Sequence, residues 1–179
     1  MPERLGAMSS VDQALRRHLI DEMSSANTTK PRIAEQLEIV DRSNTNMLKH
    51  MLAACGWPRT SVHGDKAVGD AWLLAQHADH DPDFQSTAIR LLQSAVQLGE
   101  ASGVQLAYLS DRVATSRKRP QLYGTQFNVV GECGLELMPV DDIIEVEERR
   151  KQAGMPTMAE YREQLIRHAL PPHCTKDAK

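Results

Sequence analysis

Apolar positions recur at three- and four-residue steps along most of the chain, the period of a helix with one buried face. Residues 11–23 carry Leu15, Leu19 and Ile20 on one stripe, and Ser10 with Gln13 has capping-box spacing at the start. A polar linker follows over 24–30, and Pro31 suits the first turn of a long helix over 31–54. Ile33, Leu37, Val40, Leu48 and Met51, with Cys55 just beyond, mark its inner face, and Asn44 falls in the same stripe. Gly56 supplies a left-handed cap and Trp57-Pro58 turns the chain. After a loop over 59–65, a helix over 66–80 is apolar on almost every side through Val68, Ala71, Trp72, Leu73, Leu74, Ala75 and Ala78. Asp81 and Pro82 read as N-cap and first turn of the next helix, which Gly99 ends, and another helix covers 104–114.

The period changes once. Residues 121–130 and 132–138, rich in Tyr, Thr, Phe and Val around Gly131, read as a β-hairpin. Two helices over 140–152 and 158–169 and a frayed tail from 171 complete the chain. The expectation is a mainly α fold of five to seven helices with a small hairpin. It assigns an N-terminal helix and linker to 1–30, a single helical domain to 31–170 and a flexible tail to 171–179.

Composition narrows the function classes. The 179 residues are 41% hydrophobic, 25% charged and 4% aromatic, with a net charge of -3. Such a balance offers no basic face for nucleic acid, and Arg117-Lys118-Arg119 reads as a solvated turn. No run of about 18 apolar residues predicts a membrane span. Cys55, Cys133 and Cys174 are widely spaced, lack metal-site spacing and suggest no disulfide framework, so a reducing cytoplasm is expected.

The candidate chemistry centres on the stretch 76–85. Gln76 and His77 follow Trp72, Leu73 and Leu74 at helical spacing, so they extend a buried surface, and a histidine there is the natural proton carrier. His77, His80 and Asp81 have a spacing that suits one metal, although Asp81 also fits an N-cap. Tyr108, Asp111 and Arg112 stack on one helix, and Asp111 is the expected carboxylate to orient His77. Strand alternation would place Gln121, Tyr123 and Thr125 on one face and Leu122, Gly124 and Gln126 on the other, and the two glutamines framing Tyr123-Gly124-Thr125 suggest a hydrogen-bonding wall. No nucleophile elbow, phosphate loop, dinucleotide fingerprint or HExxH is present.

Taken together, Gly56-Trp57-Pro58, Gln76-His77-Ala78-Asp79, Asp81-Pro82 with Gln85, Ala107-Tyr108-Leu109 with Asp111-Arg112-Val113, the run 121–126 and Glu148-Arg149-Arg150 resemble a bacterial domain-of-unknown-function family. Asp41 with Asn44-Thr45 is similar too. The resemblance covers about 40–165 and implies a shared site without supplying a reaction; His80 falls where that family varies, and the segment after Gln126 carries Cys133. The resulting expectation is a small cytoplasmic enzyme, hydrolase or lyase in type, acting on a small polar metabolite. His77, Asp111 and Arg112 are the catalytic candidates. Gln76, Asn44, Tyr108, Gln121, Tyr123 and Gln126 would bind substrate, and Trp57, Asp79 and Gln85 would support it. No cofactor, nucleic acid or membrane partner is expected. One alternative is a non-catalytic binding module with a structural polar cluster; another is a metal-dependent hydrolase using His77, His80 and Asp81.

Overall fold

Ser10 lies inside the first helix rather than at its start. In the computed structural model, which describes residues 1–23 and 30–175, α1 spans Pro2–Met23 and the Ser10 hydroxyl donates back to the Gly6 carbonyl at 2.7 Å. With the helix begun that early, its buried face passes through Leu5, Ser9 and Asp12, while Ile20 of the expected stripe is exposed. A polar inner face on the first helix is the first departure from the sequence pattern.

α2 spans Lys30–Cys55, and its inner face keeps Ile33, Leu37, Asn44 and Leu48 of the expected stripe. Thr45 and Leu52 join them, Val40 and Met51 are half-buried, and Cys55 is exposed because the face turns past it. Gly56 takes the expected left-handed conformation and its N–H bonds the Leu52 carbonyl. The loop expected over 59–65 is instead helical: α3 spans Thr60–Gln76, broken at Gly64, whose φ of 78° and ψ of 158° lie outside the helical range. The far end of α3 also differs, because the helix stops at Gln76 and His77 is its C-cap. α4 spans Pro82–Gln97, with the Asp81 carboxylate accepting from the Phe84 N–H as its cap. The linker expected over 24–30 lies outside the described residues apart from Lys30.

The chain divides into two compact units, 1–101 and 102–179, where the sequence suggests one domain after an N-terminal helix. In the first, α1 packs on α2 and α3, α2 packs on α3, and α3 meets α4. The first helix is thus part of the core of its unit.

The second unit contains α5 (Gly103–Ser116), α6 (Val146–Gln152) and α7 (Met158–Ala169) around a two-stranded antiparallel hairpin. Its strands are β1 (Phe127–Val130) and β2 (Gly134–Leu137), with Phe127 opposite Leu137 and Val130 opposite Gly134. Seven α-helices and this hairpin, among the described residues, make the fold mainly α. The hairpin is shorter than expected because 121–126 is a loop, anchored where Gln121 bridges Val140. α6 starts late for a related reason: the Gln121 backbone bonds Pro139 and Asp141, holding that stretch out of a helix. Residues 172–175, expected to fray, form a 3-10 turn packed on α7, and Cys174 is disulfide-bonded to Cys133. That bridge corrects the reading of the cysteines as a set with no pairing. The remaining tail residues lie outside the described residues.

Candidate functional site

A polar network built around a buried aspartate stands out in each unit, and the two are built on different principles. In the first unit the network is made of side chains from α1, α2 and the end of α3. His77 Nδ1 lies 2.9 and 3.0 Å from the two carboxylate oxygens of Asp12, which is 0% exposed. Arg16, one turn further along α1, donates from Nε to Asp12 at 3.2 Å. Its Nη2 reaches Asp41 of α2 at 2.8 and 2.9 Å. Gln13 Nε2 adds a bond to Asp12 at 2.9 Å. The result is a continuous chain from Asp41 through Arg16 and Asp12 to His77.

The electrostatics follow from this arrangement. Burial raises the Asp12 carboxyl, but His77, Gln13 and Arg16 outweigh it and bring the group down to about 2. Asp41 goes the other way, held above its usual value by burial and by Asp12 against the pull of Arg16. An ionised Asp12 can only accept, so Nδ1 of His77 must carry the proton that joins them. That leaves Nε2 as the ring nitrogen with an open lone pair, and among the described residues no hydrogen bond engages it.

The depressed Asp12 value carries a pH prediction. A carboxyl that binds its proton less readily folded than unfolded stabilises the fold fully above its unfolded value near 3.8. That stability is lost as pH falls toward about 2. Thermal unfolding followed between pH 5 and 2 should therefore show a loss in the wild type that is smaller in Asp12→Asn.

The motif 76–85 is largely helix-end architecture. Gln85, fully buried, donates from Nε2 to the Ala75 carbonyl at 3.1 Å, the Gln76 carbonyl at 3.3 Å and Asp79 Oδ1 at 3.2 Å. It thereby closes the carbonyl end of α3, with Asp79 held against it. Gln76 is buried and Trp57 is buried with its indole N–H unpartnered. The metal set His77, His80 and Asp81 is not assembled. α3 ends before it, His80 is exposed, and the Asp81 oxygens are engaged by Phe84 N–H and Lys49. Asn44 lines a cleft of about 420 Å³ with Arg4, Met8, Val11, Val40 and Met47, and its buried Nδ2 has no partner.

In the second unit the centre is a carboxylate served by backbone. Asp111, 0% exposed on α5, accepts from the N–H groups of Leu122 at 2.8 Å, Tyr123 at 3.1 Å and Thr125 at 3.0 Å. Burial nevertheless raises its carboxyl above the usual range. The carboxylate bonded to His77 is Asp12, and both Asp111 oxygens are engaged in shaping the 121–126 loop. That loop is not a strand, because three of its N–H groups converge on one side chain. The glutamines close it: Gln121 Nε2 donates to the Gln126 and Met138 carbonyls, and the Gln126 N–H donates to Gln121 Oε1 at 2.8 Å.

Two arginines hold the same loop from α6. Arg149 Nε donates to the Leu122 carbonyl at 2.8 Å. Arg150, wholly buried, donates to the carbonyls of Tyr123 at 2.6 Å and Pro156 at 2.7 Å and stacks on the Tyr161 ring. Tyr161 meets Tyr108 edge to face and donates its hydroxyl to the Thr125 carbonyl. Burial pushes the Tyr161 and Tyr123 phenols up. Arg112 is half-buried and engaged in an interaction of its own.

Gly124 sits in this loop with φ of +67°, and a Cβ there would come within 2.6 Å of Met158 Sδ. The Met158 thioether can swing aside, so the left-handed backbone dominates the effect of a substitution. Gly124→Ala is expected to cost about 1–2 kcal/mol, read as a lower midpoint in thermal unfolding.

The network residues that sequence reasoning missed are Asp12 and Arg16. The available signal was Asp12 at helical spacing from Leu5, which becomes visible only once the helix is started before Ser10. Asp41 was legible through the resemblance alone.

The family model described as a family of unknown function (DUF6624) matches residues 1–170. The chain belongs to that family. The DUF6624 match takes in the Asp12–His77 network and the Asp111 loop, whereas His173 and Cys174 lie beyond it. No curated protein and no solved structure matches the chain. No helix among the described residues is long and apolar enough to cross a membrane.

Proposed function

We propose that this chain is an acid/base enzyme acting on a small polar substrate, with His77 as its proton carrier. The bond from His77 Nδ1 to the buried Asp12 carboxylate carries this reading. A carboxylate there holds the ring in one tautomer and stabilises the imidazolium formed when Nε2 takes a proton. Arg16 and Asp41 act one step further out by keeping Asp12 ionised and aimed. Nε2 would draw a proton from water or from a carbon beside an activating group, so hydrolysis and elimination are the reaction classes. Asn44 lies one turn along α2 from Asp41, and its unpartnered amide in an apolar cleft supports a substrate-contact role.

Imidazole nitrogen NMR tests the central step. The neutral ring of His77 is expected to be the Nδ1–H tautomer, and that signal should change in Asp12→Asn. A neutral Nε2–H ring in the wild type would remove the basis of the proposal.

A second reading has its own support. Every acid in the network is already partnered, which suits a structural device fastening α1 to α2 and α3. The metal reading moves from His77, His80 and Asp81 to Asp12, Asp41 and His77, whose ligand atoms lie within 4.8 Å of one another. Arg16 already bonds both carboxylates, so a cation there must displace a guanidinium. A cytoplasmic setting belongs to this proposal too, with the Cys133–Cys174 bridge pulling against it, since lasting disulfides belong to oxidising compartments.

A further inference from the structure

The geometry points to a zinc site at the end of the second unit, assembled from Cys133, His173 and Cys174 when the disulfide is reduced. One ligand atom from each of these residues lies within 4.8 Å of the others. Glu132, next to Cys133, has a carboxylate oxygen 3.1 Å from His173 Nε2, and its carbonyl lies 3.5 Å from Cys174 Sγ. Two thiolates, an imidazole and an adjacent carboxylate form a donor set matched to a borderline-soft, tetrahedral cation. The carboxylate either fills the fourth position or holds the ring from behind, the usual partner of a metal-bound histidine.

The bridge and the metal site are two states of the same four residues. A dithiol reductant opens the bridge by exchange: two electrons reduce Cys133 and Cys174 to thiols, and the reductant leaves as its own disulfide. Zinc then binds the two sulfurs as thiolates, releases two protons to solvent and stays divalent throughout. Tetrahedral ligation at about 2.3 Å sets the sulfurs roughly 3.8 Å apart. The Cα atoms are 5.3 Å apart, so side-chain rotation and a small shift of the 3-10 turn suffice. His173 and Glu132 are more than half exposed, which gives reductant and metal a route in. In either state the turn after α7 is tied to the hairpin. The site thus keeps the C-terminal turn in place across a change of redox conditions and takes up zinc only on the reducing side.

The test uses the full chain carrying Cys55→Ser, since Cys55 is a free, exposed thiol that would bind metal on its own. Cobalt(II) is added before and after reduction with a phosphine, then displaced with zinc, and bound metal is counted by mass spectrometry. The expected result is one metal per chain after reduction only, with a thiolate-to-cobalt absorption band and about two protons released. Affinity should fall at least 100-fold in Cys174→Ser and about 10- to 100-fold in Glu132→Gln. His173→Ala, at an exposed position, gives a second ligand variant should Cys174→Ser fail to fold. Reduced protein that binds cobalt no tighter than the Cys133→Ser/Cys174→Ser double variant overturns the proposal, as does equal binding by the oxidised chain.

Discussion

Asp111→Ala is expected to destabilise the second unit by about 3–5 kcal/mol, the largest single-residue loss in the chain. The reason is the number of donors that depend on one side chain. The N–H groups of Leu122, Tyr123 and Thr125 all end on its carboxylate, and the Thr125 bond is fully buried. Removing the acceptor takes away the partner that these three donors share. Asp111→Asn keeps one acceptor atom but turns an amide donor toward the N–H groups, so its loss should be about half as large. The aromatic residues allow the second unit to be followed selectively. Tyr108, Tyr123 and Tyr161 all lie in it, while Trp57 and Trp72 lie in the first. Urea unfolding read by tyrosine near-UV dichroism should shift strongly in Asp111→Ala. An unchanged tyrosine transition would show that Gln121, Arg149, Arg150 and Tyr161 hold the loop without Asp111.

The second large effect concerns activity. His77→Ala is expected to abolish turnover while changing stability by no more than about 2 kcal/mol, because the ring is partly exposed and sits at a helix end. Asp12→Asn should lower turnover by about 100- to 10,000-fold, since an amide neither fixes the donating Nδ1–H nor stabilises the imidazolium. The measurement is a comparison of wild type and both variants across small esters, amides and β-elimination substrates, paired with thermal unfolding. Activity that survives His77→Ala, or a His77→Ala chain that does not fold, removes the catalytic role and leaves the network as a fastening of α1. The tryptophan transition separates these cases, because it reports folding of the unit that holds the network.

Helical periodicity carried most of the fold. The inner face of α2, the Gly56 cap, the Asp81 cap before Pro82 and the mainly α class all follow from residue spacing, because burial of one helix face imposes that spacing directly. Helix ends were less legible. α1 begins before Ser10 because a serine that caps in one context back-bonds to the preceding turn in another. The stretch 121–126 reads as a strand by composition, yet it is a loop, since a distant carboxylate can organise backbone N–H groups without leaving any local pattern.

For the candidate site, the sequence by itself pointed to His77, at the end of an apolar helix, as the candidate proton carrier. It also singled out Asp41, Asn44, Asp79, Gln85 and the 121–126 run. Only the tertiary structure decided the partners. Asp12 and Arg16 reach His77 and Asp41 because α1 packs against both α2 and α3, a contact between residues far apart in the chain. The pairing of Cys133 with Cys174 was hidden for the same reason. Spacing along a chain encodes which side of a helix is buried, whereas the identity of the group facing it depends on how the helices meet.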